Sequence, residues 1–163
     1  MAAVTRVCPD QPPPVPHVTL VGPAEIVAPD RESELVRALG AAARVLAPCT
    51  IRYDGLSFFR KKQCIWVRVV PTPELALLQK ELARVARRLL RPSYQSGFPY
   101  RPHITLAARL FEWEGAAILR SLEGRAFNGS FPCMAALLMK QVEPDAPWQR
   151  LARLRLGGMP PPA

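Results

Sequence analysis

Histidine is almost missing from this chain: only two stand among 163 residues. A catalytic zinc site typically takes three protein ligands. The chain lacks the histidines, or a Cys/His cluster, to build one, so no metal or other cofactor is demanded. Cys8, Cys49, Cys64 and Cys133 are scattered, with no C-x-x-C and no ligand spacing, which fits reduced, mostly buried thiols in the cytoplasm. No apolar core of a signal peptide is present near the N-terminus, where Pro12, Pro13, Pro14 and Pro16 interrupt the sequence. Nor is any apolar run long enough to span a bilayer. A soluble cytoplasmic protein without membrane contact is therefore expected, and a monomer. G-x-G-x-x-G after a strand and G-x-x-x-x-G-K-[ST] are both absent, which argues against dinucleotide binding and Walker-type ATP hydrolysis. Acids are also scarce, 13 against 22 Lys plus Arg, giving a formal charge of +9 and a pI near 10.1. That excess favours a polyanionic partner such as RNA, although Arg- and Ala-rich composition also follows from genome bias.

Both histidines fall in one stretch that occurs twice. Pro16-His17-Val18-Thr19-Leu20 returns as Pro102-His103-Ile104-Thr105-Leu106, with only Val18 and Ile104 differing. A lone His in an apolar run is ordinarily a core or surface residue; two copies that use every His point to a paired role. Each copy reads as a short strand entered by Pro. Period-two alternation puts His17 with Thr19, and His103 with Thr105, on one face, and anchors each pair from behind with Val18 and Leu20 or Ile104 and Leu106. Two imidazoles can accept one proton and donate another. Displacement at phosphorus needs both, and Thr hydroxyls can hydrogen-bond the non-bridging oxygens as charge develops.

With two widely separated H-x-T-x motifs, the sequence resembles the two-histidine (2H) phosphoesterase superfamily, which includes 2'-5' RNA ligase-like proteins and RNA 2',3'-cyclic phosphodiesterases. The resemblance runs from about Val15 to near Leu156, and His17, Thr19, His103 and Thr105 match the family's catalytic positions. One departure stands out. Many members follow the second motif with Ala-Arg, whereas Ala107 is followed here by Ala108, with Arg only at 109. On a strand, that offset would turn the guanidinium to the other face.

Residues 1–14 read as a flexible arm and 157–163 as a flexible tail. Residues 15–156 read as one domain of two pseudo-symmetric lobes. Gly22-Pro23 marks a turn, and Asp30 is expected to cap a helix to about Ala47 with Leu35, Leu39, Ala42 and Leu46 inward. Thr50–Phe59 and Cys64–Val70 read as a hairpin joined by Arg60–Gln63. Thr72-Pro73-Glu74 starts a helix whose Leu75, Leu78, Leu82, Val85 and Leu89 form a core stripe. A helix over Glu112–Leu122 closed by Gly124, a strand over Ser130–Gln141, a turn at Glu143-Pro144-Asp145 and a strand over Trp148–Leu156 complete the chain. Each half reads His strand, helix, strand, strand. This predicts an α+β, internally duplicated two-lobed fold, with antiparallel sheets forming a central cleft and helices packed outside.

Tyr100, Arg101 and Phe98, on the loop that leads into the second motif, are candidates to hold a nucleotide by stacking and guanidinium contacts. Trp66 and Trp148 read as core. Arg60, Lys61, Lys62, Arg84, Arg87, Arg88, Arg91 and the Arg150/Arg153/Arg155 series read as solvated cations or an electropositive surface. The resemblance implies an enzyme acting on RNA ends or cyclic nucleotides, opening a 2',3'-cyclic phosphate to a 2'-phosphate, with 2'-5' ligation as the reverse. Here His103 is assigned as base and His17 as acid. Cleavage of 2'-5' oligonucleotides, trimming of RNA 3' ends, opening of ADP-ribose 1'',2''-cyclic phosphate, and a non-catalytic RNA-binding module are the alternatives.

Overall fold

The computed structural model describes residues 16–59, 63–92, 100–143 and 146–158. These form a mixed α+β fold with three α-helices, and four of its strand pairings run antiparallel. The described residues fall into two compact units. One lies within Met1–Thr19, Ile51–Pro71 and Tyr100–Ser130, the other within Leu20–Thr50, Thr72–Pro99 and Phe131–Ala163. Both copies of the repeated pentapeptide begin in the first unit, and all four of their His and Thr residues belong to it.

The first unit is built on a four-stranded sheet. Its strands are β2 (Cys49–Phe59), β3 (Cys64–Val69), β5 (His103–Ala107) and β6 (Asn128–Cys133), in the order β5-β3-β2-β6. The ends of β2 and β6, at Cys49–Thr50 and from Phe131 on, count with the second unit. Along β3, Ile65, Val67 and Val69 are buried while Trp66 is half-buried and Arg68 exposed, the alternation of a strand with two different faces. Helix α3 (Glu112–Ser121) covers the buried face: Ile118 and Leu122 join Ile65, Ala107 and Leu110, with Phe58 and Leu56 alongside. Gly115 permits that approach, because a Cβ there would lie 2.8 Å from the Phe58 ring. At the helix start, the Glu114 carboxylate accepts from Phe111 N–H at 2.7 Å, satisfying one orphan donor.

The second unit pairs α1 (Glu32–Arg44) with α2 (Pro73–Ala86) and packs α1 on the ribbon of β7 (Ala135–Lys140) and β8 (Gln149–Arg155). The expected stripe is buried at Leu75, Leu78, Leu82, Val85 and Leu89. Thr72 caps α2, its Oγ1 accepting from Leu75 N–H at 3.2 Å. A small ribbon of β1 (Ala24–Ile26) and β4 (Leu90–Pro92), too short to show periodicity in the sequence, completes it.

Several expectations are corrected. Asp30 is not a cap: Pro29–Arg31 form a 3-10 turn, Arg31 holds the N-cap position of α1, and no side chain caps it. The strand expected over Ser130–Gln141 breaks at Met134 into β6 and β7, which pair with different partners. Trp148 is 51% exposed and outside the core. Gly157 and Gly158 are not frayed, since both N–H groups donate to Leu46 O, at 3.2 and 3.0 Å. Arg60, Lys61, Lys62, Pro144 and Asp145, the expected arm, and the tail from Met159 lie outside the described residues.

Candidate active site

The face of the sheet opposite α3 carries the polar residues of the second motif. Antiparallel pairing sets Arg68 across from His103, Trp66 across from Thr105, and Ser57 across from Trp66. Residues directly opposite on antiparallel strands share a face. His103, Thr105, Arg68, Trp66 and Ser57 therefore share one surface, while Ile104 and Val67 form the row behind it. As expected, the apolar residues of the motif anchor and its polar residues present.

His103 is held from two directions. Its Nδ1 lies 2.8 Å from Arg101 O. A carbonyl oxygen can only accept, so Nδ1–H donates, and the neutral ring carries its lone pair on Nε2. The ring edge also packs against Trp66 (centroids 5.8 Å, 78°) and Phe59 (6.1 Å, 76°), which stack on each other at 4.6 Å. Tautomer and ring plane are thus both constrained.

The first motif pairs with β5 through one bridge. Val18 pairs antiparallel with Ile104 on the free side of β5. Carried one residue each way, that register sets His17 level with Thr105 and Thr19 level with His103. His17 and His103 are then diagonal neighbours, whose backbones in such pairs lie about 7–8 Å apart. The expected strand around His17 is reduced to this bridge. Pro16 lacks the N–H that would extend the pairing on one side, and a bend at Leu20 ends it on the other. His17 and Thr19 are exposed, whereas His103 and Thr105 are half-buried.

Arg68 was not anticipated. The hairpin was legible, but not the register that puts Arg68 beside His103. A bulge between Tyr53 and Leu56, with Gly55 at φ +77°, aims Asp54 at this guanidinium. Arg68 Nε donates to Asp54 O and Nη2 to Asp54 Oδ2, both at 3.1 Å. This surface ion pair is solvent-screened and exchangeable. Trp66 also moves, from expected core to a support for His103. Among the expected substrate contacts, Arg101 supplies its backbone carbonyl to His103 while its side chain is exposed, Tyr100 is half-buried, and Phe98 lies outside the described residues. Arg109 is not turned to the other face by strand alternation, because β5 ends at Ala107 and Arg109 takes a left-handed conformation, φ +58°.

Among the described residues, no group of three His, Cys, Asp or Glu side chains could hold a metal ion. No helix among them is long and apolar enough to cross a membrane.

Known proteins share this fold. The family model of the 2'-5' RNA ligase superfamily matches residues 8–145. A putative phosphoesterase of Bacillus cytotoxicus is 31% identical over 114 residues, spanning 69% of this chain and 62% of that protein's length. Escherichia coli LigT, crystallised with 3'-AMP, superposes with a TM-score of 0.64 at 22% identity, covering 86% of this chain and 76% of LigT. A Thermus thermophilus protein gives 0.68 at 21%, covering 96% and 89%. LigT has also been crystallised with NADP+ and with ATP. The chain belongs to the 2'-5' RNA ligase superfamily, among the two-histidine phosphoesterases.

Proposed function

We propose that the protein is a metal-independent phosphodiesterase that opens 2',3'-cyclic phosphates at RNA ends or on nucleotides, leaving a 2'-phosphate. The observation that supports this reading is the bridge between Val18 and Ile104, which joins the backbones of the two H-x-T motifs. His103 Nε2, its lone pair exposed by the bond at Nδ1, takes a proton from water as the oxygen attacks phosphorus. The bond from phosphorus to the 3' oxygen breaks, and His17, in its protonated form, delivers a proton to that oxygen. Water is consumed and the two imidazoles exchange charge states. Thr19 and Thr105 hydroxyls donate to the non-bridging oxygens, and Arg68 offsets the charge that develops there. With an RNA 5'-hydroxyl in place of water as the nucleophile on a cyclic phosphate, the same geometry yields a 2'-5' linkage.

The phosphate-bearing nucleotides found with LigT support a nucleotide substrate. The test is turnover in EDTA of 2',3'-cyclic mononucleotides, a cyclic-phosphate-ended RNA, a 2'-5' dinucleotide and ADP-ribose 1'',2''-cyclic phosphate, with the product's phosphate position read by 31P NMR. Cyclic-phosphate opening to the 2'-phosphate is expected. Turnover only on addition of metal contradicts the mechanism. RNA binding without turnover of any substrate would identify a binding module instead.

A further inference from the structure

The β7–β8 ribbon of the second unit has two unlike faces. Register places Ala136 with Leu154, Leu138 with Ala152 and Lys140 with Gln149 on one of them. Leu154 on this face is buried, and Lys140 is ion-paired with Glu32 of α1, so this is the face that α1 covers. The opposite face carries Ala135 with Arg155, Leu137 with Arg153, and Met139 with Arg150. All three arginines are exposed, and Leu137 is 55% exposed.

Arg150 shares this row only because of an irregularity. The spacing from Arg153 is odd, which on a regular strand would turn it toward α1. The register shift between Leu138 and Met139 corrects this by leaving Leu151 without a Cα partner. Three arginines thereby line one strand with successive members about 7 Å apart or slightly more, close to the repeat of phosphates along an extended nucleic-acid strand. Neither β7 nor β8 contains an acid, and among the described residues the three guanidinia make no hydrogen bond or ion pair. Arg31, Arg68 and Arg84, by contrast, each have a carboxylate partner. Trp148, exposed and just before the start of β8, adds an aromatic surface near the row. Cations tracking a backbone, with an aromatic ring for a base, is how single strands are held without sequence preference.

We propose that this face binds the phosphodiester backbone of single-stranded RNA. The proposal rests on the nucleotide-end reading above for its choice of RNA, and makes the substrate a polymer rather than a mononucleotide. Uncompensated charge favours a polyanion over a protein partner for Leu137 and Met139.

Anisotropy of a labelled single-stranded RNA with an ordinary 3'-hydroxyl end tests this without turnover, across a salt titration. The triple variant Arg150→Gln, Arg153→Gln, Arg155→Gln should lower the salt slope of binding by about 2, at roughly 0.7 per lost phosphate contact. The triple Lys variant, with the charge retained, should keep the slope. A control removing equal charge elsewhere, at Arg52, Arg120 and Arg125, should leave it nearly unchanged. Hydrolysis of a cyclic mononucleotide should be the same in all four proteins. An equal fall in slope for the control, an unchanged slope in the Gln variant, or no RNA binding by the wild type each overturns the proposal. The enzymatic reading fails separately, if mononucleotide turnover is absent while the ribbon variants still alter RNA binding.

Discussion

The two copies of the pentapeptide differ by one methylene, Val18 against Ile104, yet the chain treats them differently. The second copy is a strand inside a ladder, with β3 on one side and the first copy on the other. Its imidazole is fixed by Arg101 O and by Phe59 and Trp66. The first copy is attached by one bridge, with His17 and Thr19 exposed. Local sequence therefore does not set the degree of order; neighbours do. A fixed ring with a defined lone pair suits the base, and an exposed ring suits the acid that meets a leaving group.

The largest effect that bears on this contrast is on turnover. Alanine at His103 or at His17 should each lower kcat/KM by ~10² or more in chelator, as loss of a general acid or base does. The next separates anchoring from chemistry. Ile104→Ala should cost about 3 kcal/mol by urea unfolding, as for a buried aliphatic truncation. Val18→Ala, at a half-buried position, should cost about 1 kcal/mol, in proportion to the smaller area removed. Equal costs would mean that the two copies are equally built in. Trp66→Leu should lower kcat about tenfold through misalignment of His103, and a matching loss at a distant core site such as Leu78→Ala would reduce it to a stability effect.

Two smaller changes in the second unit serve as controls that must leave the contrast intact. Thr72→Ala should cost about 1 kcal/mol through loss of the α2 cap, without altering kcat. Burial pushes the Cys49 thiol up to about 11, with Cys133 nearby adding to the effect. The folded pKa is raised, so the contribution is complete below the thiol's unfolded value, about 8.5, and is lost as pH rises through about 11. Melting temperatures of wild type and Cys49→Ala between those limits should converge as pH rises.

The motif, the hairpin, the Thr72 cap and the leucine stripe of α2 were all legible because each is written in local periodicity or a short signal. What was hidden depended on register between distant strands. Arg68 and Trp66 gain their place only when β3 lies against β5, and nothing in their own neighbourhood announces it. The break at Met134 was concealed by an apolar run that two strands share but that reads as one. Gly157-Gly158 resembled a loose end because its fixing point, Leu46 O, is remote in sequence. A Cβ at Gly158 would meet Val45 O at 2.5 Å, a closeness visible only in three dimensions.

The most direct test is the double variant His17→Ala, His103→Ala beside each single, assayed in EDTA on a cyclic-phosphate-ended RNA. Groups that act as a unit lose little more together than alone. The double variant should therefore retain about the same residual rate as either single. Losses that multiply, or a single variant close to wild type, would mean that the two imidazoles do not serve one phosphorus centre.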